Sequence, residues 1–436
     1  MASTPASPLL RFAARLLGTR EGETPAVIAG AALFFCVFTG YFMLRPVRET
    51  MGVAGGVDNL QWLFTGTFVA TLVATPLFGW IASKVSRRTI LAWTYGFFTL
   101  NLLAFAVALA ARPDDLAVAR TFYIWLSVFN LLTISLAWST LADVFAAHQA
   151  KRLFALMAGG ASLGGLVGPL LGTVLVAPLG HAGLLVLSAA FLATAIVVAA
   201  ALHRWRDHLP AGATTAEAED RAQALGGNPF AGATALFRSP YLLAIGVFVV
   251  LLATANTFLY FEQARLVAEY FPDRTRQTQV FGLIDTIVQA LAILTQVFLT
   301  GRIARRLGVG VLIVAVPLIV AGGFLWLAFA PVFGVFVVVM VIRRAGEYAF
   351  VRPGREMLYT VVAPEQKYKA KNFIDTVFYR GGDAISGWVK RGLDLLGEHP
   401  SLAMGIGAAL ALAWAATGGW LARAFHRRES ESASIH

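Results

Sequence analysis

Residues 25–50 read PAVIAGAALFFCVFTGYFMLRPVRET, a long apolar run that ends in charged side chains. A helix needs about 20 mostly apolar residues to span a bilayer, and this run is longer than that. Thr24 can cap the helix, and Pro25 suits its first turn. Similar runs recur as far as residue 424, and helices that are apolar on all sides need a membrane or a very large core. The sequence therefore predicts a polytopic α-helical membrane protein.

The composition agrees with this prediction and excludes other classes of protein. The chain has 436 residues, a mean hydropathy of +0.70 and only 14% charged residues, whereas soluble domains carry about 25%. The net charge of +11 does not indicate a nucleic-acid partner, because the bases lie in short clusters between apolar runs. Cys36 is the single cysteine, so no disulfide framework or cysteine metal site is expected. No cofactor is predicted.

Twelve apolar runs are long enough to cross a bilayer, which predicts an all-α membrane protein of two six-helix bundles. The eleventh run is the weakest, because it carries Asp375, Arg380 and Asp383. The predicted spans are residues 25–50, 59–82, 89–111, 118–146, 153–178, 182–203, 240–270, 277–300, 309–330, 332–362, 371–396 and 401–424.

The connections between the spans predict orientation and domain organisation. Most of the 35 Lys and Arg residues lie at the termini and after even-numbered spans, which places both termini in the cytoplasm. The high content of Ala, Leu, Arg and Gly with short loops favours a bacterial inner membrane, and one twelve-helix chain, as a monomer, can form the whole transport path. The predicted segments are a cytoplasmic amphipathic segment 1–24, a bundle 25–203, a cytoplasmic linker 204–238, a bundle 239–424 and a cytoplasmic tail 425–436.

Two connections repeat at an offset of about 220 residues, as in transporters built from related halves. The connection after the second span contains GWIASKVSRR at residues 79–88, and that after the eighth contains GRIARR at residues 301–306. The first resembles the signature loop of the major facilitator superfamily, with Ser83 where that signature normally has an acidic residue. The resemblance implies two six-helix bundles around a cavity lined by spans 1, 4, 7 and 10, and a secondary transporter that works by alternating access.

Polar and ionisable side chains inside the spans are the candidates for substrate binding or gating. Each charge costs roughly 2.5–3.5 kcal/mol at the bilayer centre, so it is expected to have a role or a partner. The pattern Arg-Pro-x-Arg-Glu occurs at residues 45–49 and again at residues 352–356, with its charges on one helical face. The candidates are Arg45, Arg48, Glu49, Asn130, Asp143, Glu262, Arg265, Asp285, Arg344, Glu347, Arg352, Arg355, Glu356, Lys371, Arg380 and Asp383.

Depth along the helices sorts most of these candidates into three layers. The charges on spans 1 and 7 fall in one half of the membrane, and those on span 4 and at the end of span 10 fall in the other. We interpret these two sets as alternating salt-bridge gates. An alternative is that Arg45 with Glu49, and Arg352 with Glu356, form static pairs. The middle set, expected to contact the substrate, is Arg344, Glu347, Arg380, Asp383, Asp285 and Gln289.

Three segments resemble the nucleotide exchangers, the ATP/ADP carriers of plastids and intracellular bacteria. They are residues 41–51 with Arg48-Glu49-Thr50, residues 150–154, and residues 348–375 with Arg355-Glu356-Met357 and Lys369-x-Lys371. The resemblance implies that Arg48 and a lysine near Lys369 or Lys371 bind an anion. The chain departs from the exchangers around Leu126, where they carry a glutamate, and they are usually longer.

The residue types favour an anionic substrate, because the Arg fork binds phosphate and carboxylate. We predict secondary active transport of a phosphorylated or carboxylated solute, with nucleotide exchange as the leading hypothesis. Proton coupling stays open, with Glu262 either a proton carrier or the partner of Arg265. Proton-coupled efflux of drugs or metabolites and a non-transporting membrane sensor or scaffold are the alternatives. An enzyme is not predicted, because no catalytic spacing such as His-Glu-x-x-His occurs.

Overall fold

The computed structural model describes residues 19–20, 22–208, 233–395 and 400–433. Most of the predicted amphipathic segment 1–24 and of the predicted linker 204–238 lies outside the described residues. Within those residues the regular elements are all helices, as the sequence predicted.

Six long helices fill residues 24–207. Helix α1 begins at Thr24, with Glu23 before it and no side-chain cap, so the predicted Thr24 cap is wrong. Gly180 has a φ of 66°, a left-handed conformation that favours glycine, and it divides one long helix into two. The helices are α1 Thr24–Ala54, α2 Leu60–Lys84, α3 Ile90–Ala111, α4 Leu116–Val144, and Ala147–Asp207 divided into α5 (147–179) and α6 (181–207).

Six further helices follow the short helix Ala233–Arg238. Gly308, with a φ of 76°, divides the continuous helical stretch from residue 274 to residue 329. The helices are α7 Pro240–Tyr270; α8 (274–307), which includes a π-helical turn, Gln296–Thr300; α9 (309–329); α10, formed by Phe333–Gly346, a π-helical turn Glu347–Val351 and Arg352–Leu358; α11, formed by Pro364–Phe373, a π-helical turn Ile374–Phe378 and Tyr379–Leu395; and α12 Pro400–Ala433.

The described residues contain eight helices long and apolar enough to cross a membrane, two of which have 56 residues. Each of these two holds two crossings, one on either side of Gly180 or Gly308, and the more charged α10 and α11 complete the predicted twelve. Helix α8 extends past the predicted end at residue 300, so Arg302 lies on the helix rather than in a loop. Helix α11 begins at Pro364, seven residues before the predicted start, because Pro suits a first turn.

Each bundle has its own apolar core. Phe34, Phe122 and Phe129 are fully buried within α1–α6, while Phe248 and Trp414 are fully buried within α7–α12. The two bundles therefore pack around separate centres, and the polar side chains of the spans lie between them.

A glycine row on α5 lets α1 approach closely, as expected of small residues between membrane helices. A Cβ atom at Gly164 would lie 2.7 Å from the Phe35 carbonyl oxygen, and one at Gly168 would lie 2.8 Å from the Thr39 carbonyl oxygen. Gly159, in contrast, has no atom of another described element within 4 Å of its Cβ position. The backbone of α1 thus rests on one face of α5 only.

Gly164→Val is expected to destabilise the folded protein by about 1–3 kcal/mol or more, because the new side chain overlaps the α1 backbone. The measurement is the thermal unfolding midpoint of the purified protein in detergent. Gly159→Ala on the same helix is the control, and it is expected to leave the midpoint unchanged or to raise it slightly. Equal midpoints for Gly164→Val and the parent chain would show that α1 and α5 are not in close contact.

Candidate functional site

A cavity of about 820 Å³ lies between the two bundles. Side chains of α1, α4, α7 and α10 line it, as predicted, and α2, α5, α8 and α11 contribute as well. Because the cavity is bounded by both bundles, a solute within it touches both halves of the chain.

Eleven of the predicted site residues line this cavity, and five do not. Those outside it are engaged elsewhere: Asp143 pairs with Arg87, Glu262 with Arg265, Arg355 with Asp375, and Lys371 with the cavity residue Glu356. The residues that line it are Arg45, Arg48, Glu49, Asn130, Asp285, Arg344, Glu347, Arg352, Glu356, Arg380 and Asp383.

Asp285 on α8 lies between an arginine from each bundle. Its carboxylate is 2.5 Å from Arg344 Nη1 on α10 and 3.6 Å from Arg45 Nε on α1. The side chain of Asp285 is only 4% exposed, while that of Arg45 is 22% exposed. This group, Arg45–Asp285–Arg344, joins the two bundles with two positive charges against one negative charge.

Glu347 on α10 holds a second pair of arginines. Its two carboxylate oxygens lie 3.3 Å from Arg343 Nη1 and 3.4 Å from Arg352 Nη2. Asn256 on α7 donates to Glu347 at 3.2 Å and also accepts a hydrogen bond from Arg343. Arg343 is buried, whereas 54% of the Arg352 side chain is exposed to the cavity. This group again carries two positive charges against one negative charge.

Tyr348 lies between the two groups. Its hydroxyl accepts a hydrogen bond from Arg45 Nη1 at 3.3 Å, and the Arg352 guanidinium carbon is 4.4 Å from its ring centroid. The π-helical turn of α10 positions this tyrosine, and Gln296 on α8 donates to the Tyr348 carbonyl at 2.9 Å. The cavity-facing arginine of each group therefore contacts the same aromatic side chain.

Arg48 is fully engaged within its own bundle. Its Nε donates to the Tyr123 carbonyl at 3.0 Å, and its two terminal nitrogens bind Glu49 and Ser127. The Tyr123 ring lies 3.7 Å beneath its guanidinium. The geometry thus leaves Arg45 more open to a ligand than Arg48.

The static pairs considered from the sequence are wrong. Glu49 pairs with Arg48 rather than Arg45, and Arg352 pairs with Glu347 rather than Glu356. The physical reason is that other partners compete for these charges: Arg45 reaches Asp285 on α8, and Glu356 reaches Lys371 on α11.

Asp383 on α11 has looser partners than the other cavity acids. Thr257 donates to its carboxylate at 3.3 Å, and Arg380 lies 3.9 Å away. The acid is part of the cavity lining, so water and solute can reach it.

An aromatic wall on α1 lies beside the charged groups. Phe38 and Phe42 stack with ring centroids 6.1 Å apart, and Tyr41 meets Phe42 edge to face at 5.1 Å. All three line the cavity. Such a wall offers apolar contact for a planar ring beside Arg45.

Several residues of the cavity were not predicted from the sequence. Arg343 had a visible signal, since it is an intramembrane charge next to Arg344. Asn256, Ser127 and Tyr348 had none, because single amides and hydroxyls occur throughout the spans. Their positions depend on how the helices pack.

Contacts between the bundles close the end of the molecule where α1 joins α2. Tyr123 donates to Tyr260 at 2.9 Å, and Thr50 and Thr278 are 2.7 Å apart. Further contacts there include Arg391 with Asp58 at 2.9 Å, Arg274 with Asp114 at 3.1 Å, and Trp388 with Thr65 at 3.0 Å.

Arg45, one of the predicted gating residues, pairs across the bundles with Asp285, whereas the gating residues outside the cavity pair within single bundles in this conformation. Glu262 and Arg265 both lie on α7. Asp143 pairs with Arg87 in the first bundle, while Arg355 and Lys371 pair within the second. None of these four ion pairs crosses between the bundles, so the side chains that close the α1–α2 end are different ones.

Comparisons with known proteins identify relatives across nearly the whole chain. The model of the Major Facilitator Superfamily matches residues 27–387. ADP,ATP carrier protein 2 of Chlamydia pneumoniae is 20% identical over 520 aligned residues, which cover 99% of this chain and 94% of the carrier.

Solved structures share the fold. A bacterial homologue of the human lysosomal transporter Spinster has a TM-score of 0.62 at 13% identity, over 94% of this chain and 99% of its own. The nucleoside transporter NupG has a TM-score of 0.58 at 15% identity, over 94% and 99%. A bacterial homologue of the iron transporter ferroportin has a TM-score of 0.61 at 16% identity, over 94% and 100%.

Proposed function

The chain belongs to the major facilitator superfamily, as a multi-pass membrane transporter rather than an enzyme, and we propose that its substrate is an anionic solute. Secondary transport in this fold uses one central cavity that opens to each side in turn. The proposed solute carries phosphate or carboxylate groups and binds in the cavity described above.

The observation that carries this proposal is the Arg45–Asp285–Arg344 group. Guanidinium forks bind phosphate and carboxylate through paired hydrogen bonds and keep their charge at any physiological pH. Because Arg45 comes from one bundle and Arg344 from the other, an anion bound there contacts both halves. A cationic drug would instead meet the exposed arginines of the cavity, which disfavours the efflux alternative.

Nucleotide exchange is the first substrate class to test. The 20% identity to an ADP,ATP carrier supports it, and so does the aromatic wall of Phe38, Tyr41 and Phe42, which suits a base next to a phosphate-binding arginine. The fold alone does not determine the substrate.

In proteoliposomes, uptake of radiolabelled ATP or ADP is expected to require unlabelled nucleotide inside. The expected stimulation by internal nucleotide is about tenfold or more, as for a carrier that reorients poorly when empty. Empty liposomes and liposomes with denatured protein are the controls. If folded protein takes up no nucleotide under either condition, nucleotide exchange is excluded and dicarboxylates are the next solutes to test.

We propose that Asp383, rather than Glu262, is the residue that carries the proton in proton-coupled transport. Glu262 is held by two hydrogen bonds from Arg265, at 2.5 and 3.1 Å, which favours a structural pair. Among the residues that the structure describes, Asp383 has the long contacts to Thr257 and Arg380.

Asp383→Asn is therefore expected to abolish the stimulation of uptake by an imposed pH gradient while exchange at equal pH continues. The reason is that asparagine keeps the shape of the side chain but cannot carry a proton. Glu429→Gln on α12, with a 61% exposed side chain, is the matched control and should keep the stimulation. Full stimulation in Asp383→Asn would rule out Asp383 as the coupling group.

The proposed setting is a bacterial inner membrane with both termini in the cytoplasm. The charge bias of the connections supports this orientation, in which the closed α1–α2 end faces outward. We also propose a functional monomer with bundles 25–203 and 239–424 joined by linker 204–238, since the cavity is formed by one chain.

A further inference from the structure

The two arginine groups around Tyr348 have an unbalanced charge. In Arg45–Asp285–Arg344 two guanidinium groups face one carboxylate. In Arg343–Glu347–Arg352 the same ratio occurs. Each group thus keeps one surplus positive charge inside the membrane, where an uncompensated charge is costly.

The other charged side chains of the cavity do not offset this surplus. Arg48 pairs with Glu49, Arg380 lies beside Asp383, and Glu356 pairs with Lys371. Each of these pairs is neutral by itself. The surplus of two positive charges therefore belongs to the two groups around Tyr348.

Each group contains one buried arginine and one that faces the cavity. Arg344 and Arg343 have 7% and 6% of their side chains exposed. Arg45 and Arg352, in contrast, are 22% and 54% exposed. The exposed members are the two that contact Tyr348, one at its hydroxyl and one at its ring, so both surplus charges are presented at one place.

Resting on the proposed anion transport, we propose that the site between Arg45 and Arg352 selects solutes that carry at least two negative charges over monoanions. A dianion neutralises both groups at once, whereas a monoanion leaves one surplus charge in the cavity. The simplest members of this class are phosphate monoesters and dicarboxylates, and ADP and ATP meet the same requirement. Asp285 and Glu347 then act as specificity-determining residues. Their two carboxylates reduce the surplus of positive charges in the two groups from four to two.

The test compares pairs of ligands that differ by one charge. At pH 8 a phosphate monoester is a dianion, since its second pKa is about 6. Binding of AMP and of 3′,5′-cyclic AMP, which has one charge fewer, is measured on the purified full-length protein by calorimetry. Succinate and monomethyl succinate form the carboxylate pair. We expect the dianion of at least one pair to bind about tenfold tighter or more than its monoanion.

The four affinities distinguish the dianion inference from the proposed anion transport. A preference in the AMP pair alone identifies phosphate as the charged group, and one in the succinate pair alone identifies carboxylates. Monoanions and dianions that bind equally well would overturn the dianion inference and leave anion transport standing. If none of the four ligands binds to folded protein, the dianion inference is overturned, and the proposed anion transport fails as well when the same protein takes up no ATP or ADP.

Variants test whether the arginine groups cause the preference. Arg344→Gln removes one surplus charge without touching the exposed arginines, so the preference is expected to fall to about threefold or less. Arg352→Gln, at an exposed position that tolerates polar substitution, should have the same effect.

Asp285→Asn adds a surplus positive charge and should shift the preference toward ADP over AMP. Arg302→Gln, exposed on α8 outside the cavity, is the control. An unchanged preference in both folded arginine variants would overturn the assignment.

Discussion

Arg45→Gln is expected to reduce solute transport about 100-fold or more while the protein still folds and reaches the membrane. Arg45 joins α1 to Asp285 and to Tyr348 of the second bundle, so its loss removes both the proposed contact to the anion and a connection between the bundles. Removing one partner of a charge pair with a bound ligand costs about 2–5 kcal/mol of binding, and each 1.4 kcal/mol corresponds to a factor of ten. Asp285 keeps Arg344, so folding is affected less than transport.

The measurement is the initial rate of solute exchange in proteoliposomes at matched protein density. Arg45→Lys keeps the charge without the bidentate fork, and it is expected to retain a small part of the activity. Arg423→Gln, exposed on α12, should transport like the parent chain. Near-normal rates in Arg45→Gln would remove Arg45 from the substrate site and leave the other cavity arginines as candidates, namely Arg48, Arg343, Arg344, Arg352 and Arg380.

The twelve spans were predictable because each span meets the requirements of the bilayer within its own stretch of sequence. A helix that crosses hydrocarbon must satisfy its own backbone and present apolar side chains over about 20 residues, and this shows in any single stretch of sequence. The sequence predicted least clearly the span whose polar side chains line the cavity. Helix α11 was the weakest prediction, and the charges Arg380 and Asp383 that weakened it line the cavity.

The partners of the charged residues were not predictable in the same way. Helical periodicity placed Arg45 and Arg48 on one face, yet Arg45 turns to Asp285 in the other bundle and Arg48 turns to Tyr123 and Ser127 in its own. Residues three apart on a helix differ by about 60° in direction. This difference in direction is enough for one arginine to face the cavity while the other contacts its own bundle. Where the cavity ends and the bundle core begins depends on tertiary packing.

The repeated Arg-Pro-x-Arg-Glu pattern follows the same division in both halves. Its first arginine, Arg45 or Arg352, reaches Tyr348 at the centre of the cavity. Its second, Arg48 or Arg355, binds groups of its own bundle. The sequence identified the repeat, but the contacts that each of its arginines makes follow only from the structure.

Glu347→Gln is expected to destabilise the protein by about 3–5 kcal/mol, because it leaves the buried Arg343 without its carboxylate. Arg343 is 6% exposed, and Glu347 is the one acid that pairs with it among the described residues. Arg352 is affected less, since more than half of its side chain faces the cavity. The measurement is the thermal unfolding midpoint in detergent without ligand.

A second substitution separates the loss of charge pairing from a loss of shape. In the double variant Glu347→Gln with Arg343→Met, the buried charge is gone and the methionine fills part of the same space, so most of the lost stability is expected to return. Glu269→Gln, with a 60% exposed side chain paired to Arg265, is the control and should cost about 0–1 kcal/mol. If the double variant is as unstable as Glu347→Gln alone, the unpaired guanidinium is not the cause, and the hydrogen bond from Asn256 to Glu347 becomes the contact that stabilises this part of α10.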